Sequence, residues 1–228
     1  MKHKILFAGI ALVSLFTSCS DDYLDAPAKS TLDESVIFSS PGLAEGAIDG
    51  IKVPFAETNS YRGRFLPFYG LNTDTEWYNS SQTVSDASDL CTYDAQPNNS
   101  QMNTTKNASA MMYPAIERAN IAIRGLRTYG DPQPGSQLGY LLGEALTLRA
   151  IYYADLLKTW GDVPARFEPV NNATLYIAKT SRDVIYKQLL NDLAEASTLV
   201  PWPGESSATS TVERINKAFV KGFRARLA

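Results

Sequence analysis

The sequence has 228 residues, of which 44% are hydrophobic and 20% are charged. This composition is typical of a globular protein and excludes an intrinsically disordered one. The formal net charge of −3 and the pI near 5.3 exclude a strongly basic surface for nucleic acid or for anionic lipid.

The first eighteen residues predict a signal peptide. Lys2 and Lys4 precede an apolar run, Ile5–Phe16, which is too short to cross a membrane but has the length of a signal-peptide core. Small residues then lead directly to Cys19, as at the cleavage site of a lipoprotein. We therefore expect removal of residues 1–18 and lipid attachment at Cys19, where two or more acyl chains would anchor the protein. The alternative is an ordinary secreted protein with a cysteine here by chance.

The mature chain that remains after removal of the signal peptide lacks the side chains for several enzyme mechanisms. The only histidine is His3, so the mature chain has no imidazole for a catalytic triad or a zinc site. With Cys19 lipidated, Cys91 stands alone and predicts neither a disulfide framework nor a metal cluster. We expect no metal and no cofactor, and we interpret Cys91 as a small packing residue.

The first half of the mature chain predicts a tether, one helix and a long irregular segment. Residues 19–38 contain Pro27 among mixed polar residues and predict an extended tether. Ser40 followed by Pro41 is typical of a helix start, and Pro54 should end or bend that helix. Residues 58–110 show little periodicity, and irregular segments of this length are usually functional.

The second half predicts helices that pack on one another. Apolar residues at helical spacing predict one helix from about 111 to 130 and another over roughly 137 to 160, with Trp160 on its apolar face. Capping-box sequences at 180–183 and 210–213 predict two further helix starts. Helix pairs with small residues at close contacts suggest tetratricopeptide-type packing. The irregular spacing of the starts supports only an all-α, solenoid-like domain over residues 39–228.

The last predicted helix has no C-terminal signal before Ala228. We therefore expect the chain to be the N-terminal part of a longer helical domain. The apolar residues Ile215, Phe219 and Phe223 would then lack a covering partner, which would make this piece unstable alone.

The most specific pattern lies between Gly143 and Pro164. Residues 143–156 read GEALTLRAIYYADL and residues 159–164 read TWGDVP. This closely resembles the SusD family signature, G-E-A-x-x-L-R-A-x-x-Y-x-x-L followed by W-G-D-V-P. Supporting similarities occur on both sides and in the family's order, in the SCSDDYLD segment 18–25, in Tyr113, Ile116, Ala119 and Asn120, and in Ile185, Asp192, Leu193, Ala196 and Pro201.

The signature residues are interpreted as scaffold rather than as ligand contacts. Arg149 on an apolar helix face needs a buried partner, because an unpaired buried guanidinium is too costly. Trp160 with the residues after it should fix a turn. The signature set is Glu144, Arg149, Tyr153, Trp160, Gly161, Asp162 and Pro164.

The resemblance to SusD/RagB proteins implies a fold, a location and a function. Such proteins are lipid-anchored on the outer surface of the outer membrane of Bacteroidetes. They bind oligosaccharides, or peptides in some members, and serve a SusC-like TonB-dependent transporter without being enzymes. The implied fold is a right-handed superhelical scaffold of tetratricopeptide-like repeats that supports an irregular, ligand-binding portion. The acidic residues directly after Cys19 resemble the surface-export signal of Bacteroidetes lipoproteins.

The irregular segment after Asp74 has side chains suited to a glycan. Flat aromatic faces suit pyranose rings, and amide or carboxylate groups suit sugar hydroxyls. The match to the family is by region, and Trp77 could instead anchor a local core. The candidates are Trp77, Tyr78, Asn79, Gln82 and Tyr93.

Two other function classes stay open at this point. A glycoside hydrolase would need two carboxylates about 5 to 9.5 Å apart across a cleft, and the pairs Asp74/Glu76 and Asp86/Asp89 are candidates by proximity alone. The second alternative is a non-catalytic assembly scaffold, or a peptide-binding partner of the transporter. The sequence does not name the glycan.

Overall fold

Helices dominate the part of the chain that the structure describes. The computed structural model describes residues 32–65, 73–76, 90, 94, 96, 98–205 and 214–228. All helices below belong to one unit, Glu34–Ala228. In chain order they are α1 (Glu34–Ser39), α2 (Pro41–Ile51), α3 (Val53–Ala56), a π-helical segment (Thr58–Phe65), α4 (Ser100–Asn103), α5 (Ala108–Tyr129), α6 (Gln137–Trp160), α7 (Arg182–Leu199) and α8 (Lys217–Leu227).

The all-α prediction is confirmed. Within the described ranges, the extended backbone pairs only at an isolated bridge between Val163 and Thr180. Successive helices pack on one another, α5 on α6, α6 on α7 and α7 on α8, as in tetratricopeptide-like repeats. In the same ranges, no helix combines the length and the apolar character needed to cross a membrane.

The signature helix α6 lies at the centre of this packing. It contacts α2, α5 and α7, and every residue from Gly139 to Ala150 is buried. Burial on all sides, rather than along one stripe, follows from having neighbours in several directions. Trp160 at its C-terminal end is 37% exposed, so the prediction that it continues the buried face was wrong.

Several predicted helix ends agree with the structure. α2 begins at Pro41 with Ser40 in the N-cap position, and it ends at Ile51, shortly before Pro54. α6 spans the predicted range and stops at Gly161, whose φ of +69° lies in the region that favours glycine. α5 begins at Ala108, earlier than predicted, because the Asn107 side chain accepts a hydrogen bond from an N–H of the first turn.

The predicted tether extends too far toward the C-terminus. Residues 34–39 form α1 instead, and its Phe38 is buried. The ring of Phe38 occupies the space left open by Gly125 on α5, where an added Cβ would lie 2.1 Å from the ring. Arg124 of α5 also binds Glu34 at 2.8 Å. These tertiary contacts stabilise a helix in a segment whose composition does not predict one. Residues 19–31 lie outside the described part of the chain.

The last helix begins later than predicted. Residues 214–216 are not helical, and α8 starts at Lys217, with the Asn216 side chain accepting from Phe219 N at 3.1 Å. The predicted capping box at 210–213 lies outside the described residues. Phe219 is 45% exposed, whereas Ile215 and Phe223 are partly buried against the core. The expectation of an uncovered face therefore applies mainly to Phe219.

Candidate functional site

A buried guanidinium joins three helices and the loop that follows the signature helix. Arg149 of α6 is 2% exposed and donates from Nε and Nη2 to Asp192 Oδ2 of α7, at 3.0 and 2.7 Å. Its Nη1 donates to Asn120 Oδ1 of α5 and to the Phe167 carbonyl, each at 2.8 Å. A buried charge is tolerated only when it is paired and hydrogen-bonded in this way. Asp192 is thus the buried partner that Arg149 requires.

Residues 161–181, which connect α6 to α7, form what we call the signature loop. Tyr153 and Arg166 hold its first part, because the Tyr153 hydroxyl donates to Arg166 O and accepts from Arg166 N, both at 2.7 Å. Burial raises the pKa of Tyr153, which keeps its hydroxyl protonated and able to donate. Asn120 Nδ2 donates to the carbonyls of Arg166 and Glu168, at 3.1 and 3.2 Å.

Asp162 of the signature caps the next helix. Its Oδ1 accepts from Arg182 N at 2.9 Å, whereas Ser181 in the N-cap position makes no side-chain capping bond. The predicted helix start is therefore right, but the capping oxygen comes from a residue twenty positions earlier in the sequence. A carboxylate at a helix N-terminus also interacts favourably with the helix dipole.

A second charged cluster surrounds Glu144. Its buried carboxylate lies 2.6 Å from Arg214 Nη2 and 3.0 Å from Lys52 Nζ. Arg214 also pairs with Glu45 and donates to the Tyr140 hydroxyl at 3.2 Å. Burial, followed by the charge of Glu144, raises the pKa of Tyr140 to about 12. The cluster ties the segment before α8 to α2 and α6.

A cleft of about 820 Å³ opens beside this cluster. Glu45 and Tyr140 line it from the helices, and Glu205 and Lys217 line it from the chain around α8. The charged groups of the cluster form ion pairs with one another and stabilise the packing of these segments. Within the described ranges, no group of three or more His, Cys, Asp or Glu side chains is placed to hold a metal ion.

A shallower groove of about 580 Å³ lies on the signature loop. Tyr113 of α5 contributes one side, and its hydroxyl donates to the Pro164 carbonyl at 3.3 Å. Arg166 and Tyr176 also line the groove, together with Leu175 and Ile177. Sequence reasoning did not select Arg166 or Tyr176. The local sequence signal for a binding site here is weak: Tyr176 is an isolated aromatic residue in a segment that contains Asn171, Asn172 and Thr174.

The sequence-predicted glycan residues lie outside the described part of the chain. This holds for Trp77, Tyr78, Asn79, Gln82 and Tyr93, and also for Cys19, Cys91, Asp86 and Asp89. The structure describes Asp74 and Glu76, which are exposed in a short turn. There the Thr73 side chain accepts from Glu76 N at 3.1 Å.

Most of the signature residues contact other parts of the chain. Glu144, Arg149, Tyr153 and Asp162 each bind another part of the chain, and Pro164 accepts the bond from Tyr113. Gly161 supplies the turn after α6. Arg149, Tyr153, Asp162 and Pro164 fix the signature loop, whereas Glu144 ties the segment before α8 to α6.

Solved structures of low sequence identity share this fold. A SusD-like carbohydrate-binding protein from Bacteroides fragilis is 17% identical, with a TM-score of 0.65 over 84% of this chain and 37% of that one. A SusD homologue from Bacteroides thetaiotaomicron is 16% identical, with a TM-score of 0.68 over 88% and 38%. Surface glycan-binding protein A from Bacteroides uniformis is 18% identical, with a TM-score of 0.62 over 82% and 41%. This chain therefore spans well under half the length of these relatives.

Sequence comparison extends the match along almost the whole chain. A search of curated proteins finds no match. The family model for SusD-like proteins, described as starch-binding and associating with the outer membrane, matches residues 22–228. This range contains the signature helix, the signature loop and both charged clusters. The chain belongs to the SusD-like family.

Proposed function

We propose that this protein is a cell-surface lipoprotein that binds an oligosaccharide and delivers it to a SusC-like TonB-dependent transporter in the outer membrane. The observation that carries the proposal is the family match over residues 22–228. Relatives with this fold are described as a carbohydrate-binding protein, a surface glycan-binding protein and a laminarin-binding protein. The protein binds its glycan without chemically changing it.

The internal pairing of charges supports a binding role. Arg149 pairs with Asp192, and Glu144 pairs with Arg214 and Lys52, so these charges connect parts of the chain to one another. Such pairs rigidify the helices. Ligand contacts then come from aromatic and amide side chains carried on irregular segments, and we place part of the site at Trp77, Tyr78, Asn79, Gln82 and Tyr93.

The carboxylate pair that the structure describes does not favour a glycoside hydrolase. A glycosidase holds its two carboxylates on opposite sides of a cleft. Asp74 and Glu76 are both exposed and lie two residues apart in one surface turn. This arrangement offers a sugar no enclosed position between acid and base.

Membrane association in this proposal depends on lipid at Cys19. The acidic residues that follow it direct the protein to the outer surface, and a tether beginning at residue 19 leads to the helices. Stable anchoring through acyl chains needs no spanning helix. The transporter is then reached on the same membrane surface.

Native affinity gels containing soluble starch, laminarin, xylan or polygalacturonate test the proposal. The full mature protein without its signal peptide is run beside Trp77→Ala/Tyr78→Ala, with Tyr129→Ala as control because Tyr129 is an exposed tyrosine at the end of α5. We expect one polysaccharide to retard the wild type and the control, and to retard the double variant less.

The same samples separate the other function classes. Release of new reducing ends from the bound polysaccharide would indicate an enzyme. Absence of retardation by every polysaccharide, with retention of the protein on its transporter, would contradict glycan binding and favour the scaffold or a peptide ligand.

A further inference from the structure

Tyr176 is unusual among the large apolar and aromatic side chains that the structure describes. It is 90% exposed, although an exposed aromatic ring in water gains none of the free energy that its burial would give. It stands at the edge of the groove lined also by Tyr113 and Arg166. The ring is thus presented to solvent at the margin of a depression, which is the placement of a binding contact.

The backbone that carries Tyr176 is tightly held. Arg166 donates from Nε to Thr174 O at 2.6 Å and from Nη2 to Leu175 O at 2.7 Å. Asn171 Oδ1 accepts from Ala173 N and Thr174 N, at 2.9 and 3.1 Å. A side chain on a backbone ordered in advance loses less entropy when a ligand binds.

The other end of the loop is attached to the buried core. Glu117 Oε1 of α5 accepts from Val170 N at 2.9 Å, and Arg149 donates to Phe167 O. The hydrogen bonds of the signature residue Arg149 therefore extend to the signature loop that carries Tyr176. Holding an exposed loop this firmly has a physical use if the loop presents a contact surface.

The groove combines the groups that a pyranose ring needs. Tyr176 and Tyr113 supply aromatic surface for the C–H face of the ring. A guanidinium has five N–H donors, and the two bonds from Arg166 to the loop carbonyls leave further N–H groups for sugar oxygens. The volume of about 580 Å³ lies within the range of about 300–1,000 Å³ that small-ligand pockets occupy.

We propose that the groove between Tyr113, Arg166 and Tyr176 is a sugar-binding subsite, in which a pyranose unit of the glycan stacks on Tyr176 and accepts hydrogen bonds from Arg166. The inference rests on the proposed glycan-binding function and adds a place and a binding mode to it. The residues of this subsite are separate in sequence from the candidates at 77–93.

The surroundings favour a sugar over a protein partner. A standard protein interface buries about 800 Å² on each side around an apolar core. The exposed part of the signature loop mixes the apolar Val170 and Leu175 with the polar Asn171, Asn172 and Lys179. The groove is lined by six residues, whereas such an interface has about 20–30 residues on each side, so its size suits one or two sugar rings.

Two substitutions of one residue test the subsite in the affinity gels described above. Tyr176→Ala removes the ring, whereas Tyr176→Phe keeps it and removes only the hydroxyl. For the polysaccharide that retards the wild type, we expect about tenfold weaker binding by Tyr176→Ala and a change within about twofold for Tyr176→Phe, since the stacked apolar face supplies the affinity. Tyr129→Ala should bind as the wild type does.

Each outcome has a distinct meaning. All three variants should melt at the wild-type temperature, because Tyr176 and Tyr129 are exposed. Wild-type retardation of Tyr176→Ala would overturn the subsite and leave the proposed function intact. Failure of all four polysaccharides to retard the wild type would overturn the proposed function, and the subsite with it.

Discussion

At the scale of single residues, burial decides what each charged group does. Arg149 and Asp192 are both nearly inaccessible to water, whereas Arg124 and Glu34 form a pair of similar distance on the surface. Exposed pairs contribute little because water and salt screen them. The buried pair contributes specificity instead, since each charge requires the other.

The Arg149–Asp192 pair gives the first prediction. Asp192→Asn leaves the guanidinium buried without a counter-charge, and we expect the free energy of unfolding to fall by about 3–5 kcal/mol. Glu34→Gln removes one partner of the exposed pair and should cost less than about 1 kcal/mol. Urea denaturation of the full mature protein measures both. Equal losses in the two variants would contradict the role assigned to burial.

Asp155 gives a prediction about pH. Burial raises the pKa of its carboxyl, against the opposing effects of the Tyr61 hydroxyl, which donates to it at 2.7 Å, and of Lys158. Because this pKa is higher in the folded state, the folded protein binds the proton more tightly. Stability from this group is therefore present at acid pH and is lost as pH rises from about 3.9, the unfolded value, through the folded pKa.

Asp155→Asn removes the charge that burial disfavours and keeps an oxygen to accept from Tyr61. We expect the variant to be more stable than the wild type at pH 7, and the difference to shrink as the pH falls toward about 4. Thermal unfolding at several pH values measures this difference. An advantage that grew toward acid pH would show that the carboxyl pKa is lowered in the folded state.

At the scale of elements, close approach of helices depends on small residues. Gly143 lies where α6 meets the end of α7, and a Cβ added there would lie 2.6 Å from Val200 Cγ1 and 3.2 Å from Leu199 Cβ. Gly46 on α2 has nothing within 4 Å of its would-be Cβ. Two helical glycines of the same chain therefore have opposite structural roles.

These two glycines form a matched pair for a stability experiment. Gly143→Ala should be destabilising, because overpacking costs about 1–3 kcal/mol and alanine's helix preference returns only about 1 kcal/mol. Gly46→Ala should raise the free energy of unfolding by about 0.5–1 kcal/mol through that preference alone. Chemical denaturation of both variants measures the contrast. A stabilising Gly143→Ala would mean that α6 and α7 separate easily.

At the scale of the whole molecule, the described helices pack into a support for the signature loop. The ion pairs of Arg149 and Arg214 lock the helices together, and the signature loop extends from them to the surface. In the proposed function, this support carries the glycan contacts, and the lipid at Cys19 attaches it to the membrane.

The lipid anchor supplies the prediction at this scale. Cys19→Ala removes the thiol that would carry the diacylglycerol, so we expect the protein to leave the membrane fraction and to lose incorporation of labelled fatty acid. Cys91→Ala keeps Cys19 and serves as the matched control, with unchanged fractionation. Membrane retention of Cys19→Ala would contradict lipid anchoring at this residue.

Sequence reasoning predicted the long helices because their signals are local. Apolar residues repeat at helical spacing in α5 and α6, and Gly161 marks the end of α6 within one residue. It also predicted the family, since the motif from Gly143 to Pro164 is contiguous and specific. Residues 34–38 have no local helix signal, and there the prediction of an extended tether was wrong, because α1 forms instead.

The sequence by itself determined the all-α class, the bounds of the central helix, the family and the requirement that Arg149 have a partner. Only the tertiary structure decided that this partner is Asp192, 43 positions away, that Asp162 caps α7, and that Tyr113 and Tyr176 line one groove. Helix formation depends on neighbours within a turn or two, which a sequence displays directly. The partner of a charge depends on how distant segments pack, and that is settled only when the chain folds.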